Sequence, residues 1–205
     1  YGYGILPDTF QAFKTQRHRW AYGAIQILKK HWREFLPSSK RLTSTQKREF
    51  IAGWFFWLSD AMGPVMVVMN LIWIPVIVFI GVTIPTIALT IPIITVFLVN
   101  LLHTFILYRM KVKANLKETF LSAVASMSLQ LIIFKAVWDG FVKDGLPFKR
   151  TQKGGKAKRS ENPILFEIVL CVLLLISFFT LIFINKTNIT EIYVFAATIF
   201  IQTLP

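Results

Sequence analysis

Gln16, Arg19 and Trp20 fall inside one pentapeptide, Gln16-Arg17-His18-Arg19-Trp20. On a helix, positions i, i+3 and i+4 share a face. An amide and a guanidinium donate hydrogen bonds to phosphate oxygens. The flat, apolar face of an indole stacks on the C–H face of a sugar ring. These residue types at this spacing suit a site where a diphosphate meets a sugar. A plainer reading accounts for the same residues: an interfacial helix with snorkelling arginines and an anchoring tryptophan.

A second run, Phe148-Lys149-Arg150-Thr151-Gln152-Lys153-Gly154, carries complementary chemistry. The Thr151 hydroxyl and Lys153 ammonium donate to phosphate oxygens. Gly154 gives the backbone freedom to close over them. The neighbouring Lys156, Lys158 and Arg159 read better as solvated cations facing anionic lipid.

The two runs resemble the Gln-x-x-Arg-Trp signature and the gating-loop motif, Phe-x-Val-Thr-x-Lys-Gly, of the membrane-bound processive β-glycosyltransferases of family 2. These are the cellulose synthase and hyaluronan synthase group. Leu6-Pro7 before the first run and Tyr22-Gly23 after it add to the match. Phe148, Thr151, Lys153 and Gly154 match the second motif. Arg150 stands where the family usually has Val, and Gln152 where Pro is common, so the loop's pose is left open. The resemblance covers essentially the whole chain.

It implies an inverting transfer from a nucleotide sugar, UDP-linked, to a growing β-glycan exported across the bilayer. Trp20 would bind the acceptor. Gln16, Arg19, Thr151 and Lys153 would bind the donor diphosphate, with Arg19 also catalytic. Phe148, Thr151, Lys153 and Gly154 would form the gating loop. The family's catalytic domain is a GT-A α/β fold. Its acidic motifs hold a divalent metal (Mg or Mn), and a carboxylate serves as general base. Neither Asp-x-Asp nor Thr-Glu-Asp occurs here, so those groups are expected upstream of Tyr1 and no metal ligand within the chain. The chain begins without Met and ends inside an apolar run, as expected of a C-terminal piece that is inactive alone. Two other readings remain open: a non-processive transferase acting on a lipid acceptor, and a non-enzymatic membrane transport module.

The elements that must position these residues follow from composition. Of 205 residues 55% are hydrophobic, yet the net charge is +13. Both hold together only because apolar and basic residues are segregated. Residues 1–48, 109–119 and 143–161 hold ten, four and seven of the 23 Lys and Arg. Apolar runs between them are long enough to cross a bilayer. A nucleic-acid binder shares the basic balance but not the runs. Cys171, the single cysteine, reads as a packing residue.

The predicted fold is mainly α, with polytopic membrane helices and amphipathic interfacial helices. Residues 1–48 end the cytoplasmic domain, with an amphipathic helix over 8–36 capped by Asp8 or Thr9 and stopped by Pro37. Residues 49–108 hold two spans, over 50–81 with a possible bend at Gly63-Pro64, and over 84–108. Residues 109–142 form a basic loop and an interfacial helix. Residues 143–161 form the gating-like loop. Residues 162–205 hold one span and a truncated second. The basic loops are expected on the cytoplasmic face of a plasma (inner) membrane. Residues 116–142 must then cross it zero times or twice, and they are too short for two crossings. Their stripe of Phe120, Val124, Met127, Leu131, Phe134, Trp138 and Phe141 suits a helix lying on the surface. Asp60, His103 and Asp139 stand out as polar groups near apolar segments. Trp54 and Trp57 read as belt anchors, and Asn185-Lys-Thr187 and Asn188-Ile-Thr190 as glycosylation sequons if the source is eukaryotic. The partners implied are a nucleotide-sugar donor, a glycan or lipid acceptor and the bilayer, and no nucleic acid.

Overall fold

The computed structural model describes residues 7, 9–81, 91–145, 165–186 and 189–203, and they are mainly helical. Helix α1 spans Phe10–His31. Thr9 starts it from extended backbone, its hydroxyl accepting the Ala12 N–H at 3.2 Å. Lys29, Lys30 and His31 sit in the last turn, where the helix dipole favours cations. A 3₁₀ turn, Trp32–Phe35, follows. Leu36 is extended, as a residue before proline must be, so the helical run stops at Pro37 as predicted.

Helix α2 spans Ser44–Ile80. Thr43 and Gln46 close a reciprocal cap: the Gln46 side chain accepts the Thr43 N–H at 3.0 Å, and the Thr43 hydroxyl accepts the Gln46 N–H at 3.3 Å. The chain stays helical through Gly63-Pro64. Helix α3 spans Ile91–Leu107 and runs into a π turn, Tyr108–Val112. Lys113 then takes the left-handed conformation, φ 58°, that ends many helices. Helices α4, Leu116–Met127, and α5, Gln130–Val142, divide the predicted interfacial segment at Ser128-Leu129. Asn115 and Glu118 form a capping box at the start of α4. Helix α6 spans Leu165–Ile184 and α7 spans Thr190–Ile201.

Among the described residues three helical stretches are long and apolar enough to cross a membrane: Ser44–Ile80, Leu116–Val142 and Leu165–Ile184. Their outward residues include Phe55, Phe79 and Phe183. Large apolar side chains in that position match a lipid surround rather than water. The chain is thus compatible with an integral membrane protein. The span expected over 84–108 is described from Ile91 onward, as α3. The last expected span is represented by the 12 residues of α7.

The chain divides into two compact units, Tyr1–Val65 with Leu129–Ser160, and Met66–Ser128 with Glu161–Pro205. The described core of the first joins α1, α5 and the first half of α2 through Ala21, Ile25, Ala61, Leu129, Ile133, Ala136 and Val137. Gly140 lies so close to α1 that an added Cβ would meet the Ile25 Cβ at 2.7 Å. Ala136 and Gly140 thus form a small-xxx-small contact that lets two helices approach.

In the second unit Ile74, Leu174, Leu181, Ala196 and Ile199 form the core. The Asn70 amide donates to the Gln202 side chain at 3.0 Å. Asn185 is 3% exposed. Its amide donates to the Ile189 carbonyl at 2.9 Å and accepts the Ile189 N–H at 2.8 Å. This sequon asparagine is a buried staple of the α6–α7 connection and cannot accept a glycan in that state. Asn188 lies outside the described residues.

Candidate functional site

Helix α1 uses its two sides differently. Successive residues turn by about 100°, so Gln16, Arg19 and Trp20 share an arc opposite to Ala21 and Ile25. The Ala21–Ile25 side is buried against α5. Trp20 is 49% exposed. Gln16 and Arg19 on the same arc are half-buried.

The buried face also carries a polar clasp on the end of α5. The last carbonyls of a helix lack intrahelical donors. Here the donors come from α1. The Gln26 amide donates to the carbonyls of Gly140, at 2.8 Å, and Lys143, at 3.1 Å. The Tyr22 hydroxyl donates to Lys143 O at 3.2 Å. The Lys29 ammonium donates to Phe141 O at 3.2 Å and to the Asp144 carboxylate at 2.6 Å. Tyr22, Gln26 and Lys29 recur at i, i+4 and i+7, a one-face spacing that is visible in the sequence once a partner helix is supposed.

Asp139 completes the clasp. It falls on the polar side of the predicted stripe, the side expected to meet water, but it is 6% exposed. Its carboxylate lies 2.7 Å from the Lys143 ammonium and 3.7 Å from the His18 imidazole. A buried carboxylate needs such partners to stay charged. His18 is thereby turned from the motif face toward α5. Asp60, on α2, lies within the field of Arg17.

Trp54 does not act as a free belt anchor. It is buried, its indole N–H donates to Ala24 O at 3.0 Å, and its ring meets Phe35 edge-on at 4.4 Å. It fastens α2 to α1. His103 is exposed on α3.

Near the end of α1, Glu34 accepts from Arg41 at 3.0 Å and lies 3.0 Å from the His31 imidazole. The His31 contact, with Arg41 behind it, holds its carboxyl below the usual range.

Phe148, Thr151, Lys153 and Gly154 lie outside the described residues. The structure therefore brings together Gln16, Arg19 and Trp20 and leaves their relation to the second run open. Among the described residues no three His, Cys, Asp or Glu side chains are grouped to hold a metal. The described residues do not by themselves fit a divalent ion. No family model, curated protein or solved structure matches the chain.

Proposed function

We propose that this chain is the membrane part of an inverting family 2 glycosyltransferase that extends a β-linked polysaccharide from a UDP-linked sugar and exports it. The observation that carries this reading is the common arc of Gln16, Arg19 and Trp20 on α1, opposite the buried Ala21 and Ile25, with Trp20 half exposed.

In the reaction an acceptor hydroxyl attacks the anomeric carbon, the bond to the diphosphate breaks, and the hydroxyl proton passes to a base supplied by a nucleotide-binding domain. Trp20 stacks under the acceptor sugar. Gln16 and Arg19 hold the diphosphate, and Arg19 stabilises the charge that develops as it leaves. Thr151 and Lys153 close over the donor on the sequence argument alone.

Two experiments test the reading. The coding sequence upstream of Tyr1 should encode an α/β domain with acidic Asp-x-Asp and Thr-Glu-Asp-like motifs; further membrane spans in their place overturn it. With the intact protein in membranes, Trp20→Ala should lower incorporation of labelled UDP-sugar into polymer by roughly a hundredfold, the scale of a misplaced reactant. Binding of UDP should persist. Undiminished polymer synthesis would remove Trp20 from the acceptor role, and products confined to a lipid-linked sugar would favour the non-processive chemistry.

A further inference from the structure

Arg17 lies inside the motif, yet the roles above do not use it. Its guanidinium carbon stands 5.1 Å from the Phe13 ring centre and 5.4 Å from that of Trp20. Phe13 is four residues before it and Trp20 three after, so the three form a ladder along one helical ridge. The Arg17 Nε is buried and has no hydrogen-bond partner among the described residues. A desolvated cation gains most from aromatic faces, because water no longer competes for it.

This arrangement has a consequence for Trp20. An indole on a helix surface ordinarily samples several staggered rotamers. A guanidinium stacked on the ring selects among them. Trp20 nonetheless remains 49% exposed, so part of its surface is open to a ligand.

We propose that Arg17 is a positioning residue: it stacks on one face of the Trp20 indole and fixes how the other face meets a sugar ring. The ladder stands on the geometry; its purpose rests on the transferase reading.

The test uses the full-length protein in nanodiscs with 5-fluorotryptophan incorporated. The Trp20 fluorine resonance is the one lost in Trp20→Phe. Arg17→Met should shift that resonance and raise KM for an acceptor oligosaccharide roughly tenfold, the range of a desolvated cation–π contact. KM for the UDP-sugar and kcat at saturating acceptor should hold. Arg17→Lys, which keeps the charge and the stem, should recover most of the acceptor affinity. An unmoved Trp20 resonance in Arg17→Met overturns the ladder. Donor and acceptor parameters that fall together show a merely structural residue and overturn the positioning role. A full-length protein that transfers no sugar overturns the transferase reading instead, and the resonance still decides whether the ladder exists.

Discussion

Among the single residues outside the motif, Glu34 has a measurable electrostatic duty. It ties His31 at the end of α1 to Arg41 in the following loop. Its carboxyl is held below the ordinary glutamate range, first by the His31 contact and then by Arg41. A carboxylate with a lowered folded pKa stabilises the fold above its unfolded pKa. That contribution is lost as pH falls below about 4.5 and through the lower folded value. Amide exchange across residues 31–47 should therefore accelerate as the pH drops below that range. Glu34→Gln should remove this acid dependence while leaving exchange in α6 unchanged. An identical acid response in the variant would show that other carboxylates govern the segment. The pair is exposed, so salt should weaken the effect.

At the scale of elements, the contact between α1 and α5 decides whether the motif helix is held at all. Gly140 is the tightest point. Gly140→Ala would gain about 1 kcal/mol in helix propensity but would drive a methyl into Ile25. Overpacking of that kind costs about 1–3 kcal/mol, so the net effect should be destabilising. Ile25→Ala on the Gly140→Ala background should recover part of the loss by making room, a coupling that a double-mutant cycle in detergent melts would read. Simple additivity would mean that the helices do not touch there.

Much of this element was legible beforehand. The start of α1 at Thr9 and the stop ahead of Pro37 were readable, and of the stripe Phe120, Trp138 and Phe141 are exposed while Phe134 packs against the core. The inward face of α5 was harder to read. Ile133, Ala136, Val137 and Gly140 repeat at helical spacing, but two apolar faces on one helix leave the sequence without a preferred side. Asp139 is on the buried side because α1 brings His18 to it, and such long-range pairing has no local signature. The same holds for Arg17. Its charge is obvious in the sequence, whereas the burial of its Nε exists only once α1 is packed. The pentapeptide's common face, by contrast, needed nothing beyond the helical repeat.

For the molecule as a whole, the open quantity is the number of times residues 116–142 cross the bilayer. Composition and length permit a crossing. Charge argues otherwise, since Arg109, Lys111 and Lys113 precede the segment and seven Lys and Arg fall within 143–161. Basic loops gather on the cytoplasmic side, and a single crossing would place these two on opposite faces. The clasp adds a local argument. Lys29 and Lys143 meet Asp144 and Asp139 at the end of α5, and a charged assembly of this size is costly inside hydrocarbon. The end of α5 therefore belongs at the headgroup level, beside the basic helix α1. Cysteine labelling in sealed vesicles settles the count. With Cys171→Ser as background, Lys113→Cys and Asp144→Cys sit at exposed positions on either side of the segment. Losing the exposed Asp144 ion pair should cost no more than about 1 kcal/mol. Both cysteines should react with an impermeant maleimide from the same side. Labelling from opposite sides would establish a crossing, put the 109–115 loop on the face away from α1 and the clasped end of α5, and break the grouping of the basic loops on one face that the transferase reading expects.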